Sequence, residues 1–235
     1  MDNYEQVLTT DFYRQVLVTS AFIATTSLVI TLAIGIGLAY ILAFRADRLE
    51  MPLLLLLVLA DQTPTITKVY AWRILLGRQG VINSGLERLG LDDPIDALLF
   101  SRAAVIIVLS VTFIPFATIP VYAAMKAIDL SLLESANDLG AGFMTRLTRI
   151  ILPLAAPGIF IAIILVYIPL FSEFIAPTMV GGTGGYMIGS AISDQILDNG
   201  NWGVGTALSF MLLLLTAAAA ALSYYLARIK QLSSA

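Results

Sequence analysis

Apolar residues along this chain gather into long blocks rather than into narrow stripes. A helix that crosses a bilayer needs roughly 20 mostly apolar residues. Five stretches reach that length, at 16–44, 52–70, 103–124, 151–176 and 204–227. The pattern predicts an all-α polytopic membrane protein with about five transmembrane helices. A segment 1–15 precedes a transmembrane domain over 16–230. The first block is long enough to tilt or to project beyond the lipid. The second is leucine-rich only in its first half, and Asp61-Gln62-Thr63-Pro64 marks a local break in it. Pro115, Pro120, Pro157 and Pro169 fall inside or near blocks, where neighbouring helices can satisfy the backbone groups a proline frees.

Composition agrees with the pattern. Of 235 residues, 59% are hydrophobic and 12% charged, against about a quarter charged in a soluble domain. The net charge of -3 argues against a nucleic-acid partner. With neither cysteine nor histidine, disulfides, thiol chemistry, haem held by His or Cys, the usual zinc sites and the commonest general base are excluded. No catalytic or metal-ligating set is expected. The segment 1–15 is polar and of mixed charge, unlike a signal peptide.

Basic residues near the ends of spans orient a membrane protein. With the N-terminus outside, the inner segments hold Arg45, Arg48, Lys126, Arg146, Arg149, Arg228 and Lys230. The outer ones hold Arg14, Lys68, Arg73, Arg78, Arg88 and Arg102. Seven against six leaves the orientation open. Glu87, Asp92, Asp93 and Asp96 do not alter it, because the rule counts mainly basic residues. Tyr70, Trp72 and Trp202 stand at block edges, where aromatic rings anchor at the interface. Gly35, Gly37 and the alanine run 217–221 permit close helix approach. The outer loop 177–203 is glycine-rich over 181–185 and contains no phosphate-binding loop, since no Gly-Lys-Ser/Thr follows.

The loop 126–153 is polar, and it lies between two apolar blocks. Ser131-Leu132-Leu133-Glu134 has the form of a capping box, which predicts a short helix to Leu139. Gly140 suits the left-handed position just past its end. Leu132, Leu133, Ala136 and Leu139 share one face. Phe143, Leu147 and Ile150 form a second stripe beside Arg146 and Arg149, and Pro153 fits the first turn of the next span. The expected shape is an amphipathic helix–turn–helix elbow at the membrane surface. By periodicity alone it could simply rest on lipid.

Glu134, Ser135, Ala136, Gly140, Ile150, Leu152 and Pro153 also have the spacing Glu-Ser-Ala-x3-Gly-x9-Ile-x-Leu-Pro. This resembles the EAA loop of binding-protein-dependent ABC importer permeases of type I. Only Ser135, for alanine, departs from that pattern. The resemblance implies that Ser131–Pro153 is a cytoplasmic coupling helix docking on an ABC ATPase dimer. It implies an inner-membrane location with the N-terminus in the periplasm and the C-terminus in the cytoplasm. ATP and Mg would sit on the partner, with no cofactor in this chain, which has no Walker A sequence. A second, homologous permease subunit and an outer solute-binding protein are the other implied partners, besides membrane lipid.

Further stretches, 70–83, Ser172-Glu173-Phe174 with Pro177, Gly181-Gly182, Met187-Ile188-Gly189 and Asn201-Trp202, resemble the spermidine/putrescine branch of that family. Relatives usually carry another span ahead of 16–44, so the chain would begin in the loop after it. A polyamine path calls for carboxylates and aromatic faces. Asp61 and Glu173 lie within blocks, where an ionisable residue is costly and a functional candidate. For Glu173 a helix-end carboxylate is the plainer alternative. Tyr70, Trp72 and Tyr167 are aromatic candidates, with core packing or interfacial anchoring beside that reading. Asp194 and Asp198 are either solvated or touch a binding protein. An ATP-independent solute or ion channel, an ABC permease for an amino acid-like compound, a metal ion or a sugar, and an intramembrane enzyme are the alternatives.

Overall fold

The computed structural model describes residues 5, 7, 9–77, 80–87 and 98–232, and leaves aside the side chains of 83, 86, 87 and 219–232. Residues 1–4, 6 and 8 of the N-terminal segment lie outside it. So do Arg78, Arg88, Asp92, Asp93 and Asp96, and the side chains of Arg228 and Lys230. Among the described residues the fold is helical without strands. The helices are α1 (Asp11–Phe44), α2 (Glu50–Asp61), α3 (Thr65–Leu76), α4 (Val81–Glu87), α5 (Arg102–Thr112), α6 (Ile114–Lys126), α7 (Leu130–Asp138), α8 (Phe143–Leu154), α9 (Ala156–Ser172), α10 (Ile188–Ser193) and α11 (Trp202–Leu232).

The five apolar blocks correspond to five places in this order, but three are broken. By length and composition, α1 is the one helix among the described residues that can cross a membrane by itself. The pairs α2 with α3, α5 with α6 and α8 with α9 qualify only jointly, each bent at a break, and Trp202–Ala218 is a shorter apolar helix. Proline chemistry accounts for the breaks. Pro64 is extended (ψ 138) ahead of α3 and restricts Thr63 before it. Pro115 has no N–H for the carbonyl four residues back, and the helix is interrupted at Phe113. Pro157 likewise leaves the Pro153 carbonyl without its donor, and the chain bends 69° between α8 and α9. The block expected to begin at 151 therefore starts at Phe143, and its helix ends at Ser172. Helix α1 starts at Asp11, five residues ahead of its apolar block.

The chain divides into two compact units, and α1 contributes to both. Unit one comprises Met1–Val29, Thr63–Thr112 and Tyr167–Ala220. Its core holds Val16, Ile23 and Ala24 of α1, Val105, Val108 and Leu109 of α5, and Met187, Ile188, Val204 and Leu208. The glycine-rich segment, expected as an outer loop, is largely folded into this core. Gly181 and Gly185 are buried, and the Gly185 N–H donates to the Gly181 carbonyl at 2.9 Å. A polar clasp fixes it, because Ser20 Oγ, buried in α1, accepts from the Ile188 N–H at 2.8 Å and donates to the Val16 carbonyl at 2.8 Å. A buried hydroxyl with both roles filled avoids the penalty of an unpaired polar group.

Unit two comprises Ile30–Gln62, Phe113–Val166 and Ala221–Ala235. Helix α6 is its hub. A Cβ placed on Gly35 of α1 would stand 2.7 Å from Ala117 Cβ. One placed on Gly158 of α9 would stand 2.5 Å from both Ala124 Cβ and the Pro120 carbonyl oxygen. Both helices approach α6 so closely that only hydrogen fits there. Glu50 at the start of α2 reaches the same helix, accepting from the Tyr122 hydroxyl and pairing with Lys126 Nζ at 2.7 Å. The rest of α2 is unburied, and Met51, Leu55, Leu56 and Leu59 are exposed. Such a surface suits lipid rather than water.

These contacts predict an asymmetric glycine scan. Gly158→Leu should overpack α9 against α6 backbone and cost about 1–3 kcal/mol, read as a lowered melting temperature of the purified protein. Gly37→Ala meets nothing within 4 Å and should be neutral or slightly stabilising. Equal losses at both positions would remove the close-approach account.

Candidate functional site

The elbow after α6 is built locally. Asp129 is extended (φ -65, ψ 121), and its Oδ1 accepts from the Ser131 N–H at 2.9 Å. Helix α7 therefore begins at Leu130 under an aspartate cap. This replaces the capping box expected from Ser131 and Glu134. Aspartate is as good a cap as serine and stands two residues earlier. These hydrogen bonds hold the Asp129 carboxyl below its ordinary range. At its other end α7 closes in a paired turn. The Ala141 N–H donates to the Ala136 carbonyl and the Gly140 N–H to that of Asn137, both at 2.9 Å. Gly140 has φ +78. This is the Schellman arrangement, with glycine in the left-handed position.

Helix α8 follows. Its middle, Leu147–Ile151, is a π turn, with the Leu152 N–H donating to the Leu147 carbonyl. Pro153 explains it, because a proline cannot donate to Arg149 and the ladder slips by one residue. Pro153 thus lies inside α8 rather than in the first turn of a span. Ile150 and Leu152 are half-buried and Ile151 is buried.

The apolar face expected on α7 is split. Leu133 and Ala136 are half-buried, while Leu132 is 48% and Leu139 89% exposed. Ser131, Glu134 and Ser135 are exposed beside them. Phe143 and Met144 of α8 extend the exposed surface. A two-helix elbow with stranded apolar side chains and a polar rim has the character of a docking surface.

The substrate-path candidates are dispersed. Asp61 ends α2 in unit two and is half-buried. Tyr70, Trp72, Tyr167 and Glu173 fall in unit one. Tyr70 is 56% exposed, and Trp72 is half-buried. Tyr167 stacks edge-on against Phe171, with centroids 5.7 Å apart. Glu173 Oε1 accepts from the N–H groups of Phe174 and Ile175, at 3.1 and 2.9 Å. It caps the turn that restarts the chain after α9. Among the described residues no hydrogen bond or ring contact joins Tyr70 or Trp72 to Tyr167 or Glu173.

Unit one also contains a cleft of about 410 Å³ lined by Phe12, Gln15, Thr19, Arg102, Tyr186 and Asp194, among others. The Tyr186 hydroxyl donates to Asp194 Oδ2 at 2.6 Å, and Arg102 Nε donates to the Gly184 carbonyl at 2.7 Å. Burial, then the bond to Asp194, pushes the Tyr186 phenol above its ordinary value. Sequence reasoning missed Tyr186 and Phe12. The glycine run before Tyr186 was the available signal, since only a tight loop brings that ring back to α1.

Broken apolar spans, two helices locked on a third and an exposed polar elbow between them are the features the site presents. The chain belongs to the family of binding-protein-dependent transport system inner membrane components, whose model matches residues 22–230. It is an inner-membrane permease of the ABC importer class. It is 34% identical over 212 residues to the spermidine/putrescine transport system permease protein PotB of Escherichia coli (strain K12), covering 90% of this chain and 77% of that one. To PotB of Haemophilus influenzae it is 32% identical over 217 residues, covering 92% and 76%. Among solved structures, a bacterial alginate ABC transporter in complex with an alginate pentasaccharide-bound periplasmic protein superposes with TM-score 0.83 at 18% identity, covering 98% of this chain and 83% of that one. The MetNI methionine ABC transporter superposes with TM-score 0.67 at 18% identity, covering 90% and 93%.

The elbow's caps are separately testable. Gly140→Ala should cost roughly 1–2 kcal/mol by forcing a side chain into the left-handed region. Asp129→Ala should speed hydrogen exchange at the Ser131 amide, while Asp129→Asn keeps the acceptor and the protection. Because folding depresses the Asp129 carboxyl, its contribution is complete above the ordinary aspartate value of about 3.9. It is lost as pH falls through the lower folded value. Equal Ser131 exchange in wild type and Asp129→Ala at neutral pH would refute the cap.

Proposed function

We propose that this permease carries a polyamine such as spermidine or putrescine inward, driven by ATP hydrolysed on a partner. The observation that carries the substrate is the 34% identity over 90% of the chain to spermidine/putrescine permeases. The elbow carries the coupling. In this reading it faces the cytoplasm, the N-terminus is outside and the C-terminus inside. Leu132, Leu139 and Met144 sit in a groove of the ABC ATPase dimer, with Glu134 on the rim. ATP and Mg reside there and this chain needs no cofactor of its own. Closure of that dimer pushes the elbow, and α6 and α9 move together because Gly158 locks them. A second, homologous permease completes the passage in the lipid, and an outer binding protein delivers the solute. A two-state equilibrium biased by ATP and by the loaded binding protein suffices.

Asp61, Tyr70, Trp72 and Tyr167 remain the residues proposed to line the path. Glu173 joins them with a second duty, since its carboxylate already accepts two backbone N–H groups.

In nanodiscs holding the co-purified complex, loaded binding protein should stimulate ATP hydrolysis. Glu134→Arg and Gly140→Pro should abolish that stimulation or the assembly itself, and unchanged stimulation and assembly in both would end the coupling proposal. Polyamine flux through liposomes containing this chain alone would support the channel alternative. The chain has no cysteine, so single cysteines at Ala127 and Asn199 report orientation cleanly. A membrane-impermeant maleimide added to intact cells should label only the second. The solute retained by the partner binding protein decides the substrate, and an anion or a sugar there would exclude a polyamine.

A further inference from the structure

A second cleft, of about 340 Å³, lies behind the elbow in unit two. Three basic side chains line it, each from a different place in the fold. Arg45 follows the end of α1, Lys126 closes α6, and Arg146 stands in α8. Tyr40, Phe44 and Phe143 form its aromatic wall. The Tyr40 ring lies 5.4 Å from Phe44 and 5.5 Å, edge-on, from Phe143. Asp47 is the one acid in the lining.

The bland explanation is that basic residues offset the negative ends of helices. That suits Arg45 and Lys126, and Lys126 also pairs with Glu50 at 2.7 Å. Arg146 brings a third basic side chain to the same cleft from within α8. Among the described residues neither Arg45 nor Arg146 has a carboxylate within ion-pair distance. Two unspent guanidiniums and a half-engaged ammonium facing one cleft attract an anion with several oxygens. Guanidinium geometry matches phosphate. The aromatic wall and the position at the ends of two spans place that phosphate at the membrane surface, where basic pockets between helices take anionic headgroups.

We infer that this cleft binds the phosphate of an anionic phospholipid, with Arg45 and Arg146 as its ligands and Lys126 in support. The lipid would bridge the ends of α1 and α6 and the flank of α8, bracing the elbow at its base. The assignment needs the chain to lie in a membrane, but not the elbow to dock on an ATPase. Failure of the coupling test therefore leaves it standing, and its own failure leaves coupling untouched.

The test uses the full chain in its co-purified complex, equilibrated with equal phosphatidylglycerol and phosphatidylcholine and read by native mass spectrometry. Wild type should retain phosphatidylglycerol preferentially. Arg45→Gln and Arg146→Gln should each weaken that retention about fivefold, at roughly the strength of one basic residue near an anionic surface. Arg149→Gln, outside the cleft, should leave it unchanged. Millimolar inorganic phosphate should not displace the lipid. No preference in wild type, or a preference indifferent to both single variants, overturns the proposal. Complete displacement by inorganic phosphate also overturns it, since the cleft would then be a solute-anion site. If one of the two single variants fails to assemble, the other still decides.

Discussion

Backbone-to-backbone contact around α6 is the condition on which unit two rests. In lipid, helices gain nothing by hiding apolar surface from one another, so association relies on van der Waals fit and a few polar bonds. Gly35 and Gly158 supply the fit by bringing α1 and α9 within side-chain exclusion distance of α6. Glu50, Tyr122 and Lys126 supply the polar bond for α2. The elbow joins the foot of α6 to the head of α9 through α8. Whatever moves the elbow moves helices that cannot slide independently.

The apolar blocks were legible because membrane depth imposes a length on them, and each has helices at its place, though with shifted starts. Their breaks were harder to read. A proline reveals a missing donor but not whether neighbouring groups absorb the loss. Pro169 passes within α9 without a break, whereas Pro64, Pro115 and Pro157 do not. Gly140 was readable because its left-handed position follows from helix termination alone. The Asp129 cap was not, because two good caps compete within three residues and only the chain's entry angle selects one. Pairings far apart in sequence, such as Ser20 with Ile188, leave no periodic trace. Nor does dispersion of the path candidates, since composition nominates carboxylates and rings without saying which share a wall.

Three polar side chains fix local structure within this apolar protein. Ser20 fills both hydrogen-bonding roles, Tyr186 is matched to Asp194, and Glu173 is matched to two backbone N–H groups. Ser20 ties the start of α10 to α1, while the other bonds stay within the segment that follows α9. The same architecture persists in solved transporters at 18% identity. That tolerance fits a scaffold specified by close approach and hydrogen bonding, because many apolar residues can fill the remainder.

The π turn in α8 has a further consequence. One extra residue in a helical turn rotates everything after it by about 100°, so Leu147–Ile151 behaves as a single-residue insertion the helix has absorbed. The half of α8 before the π turn and the half that leads into α9 therefore present faces that a regular helix of the same length would put out of phase. Arg146 and Ile151, which a regular helix would set about 140° apart, accordingly line the same basic cleft, so restoring a regular helix here would pull that wall of the cleft apart.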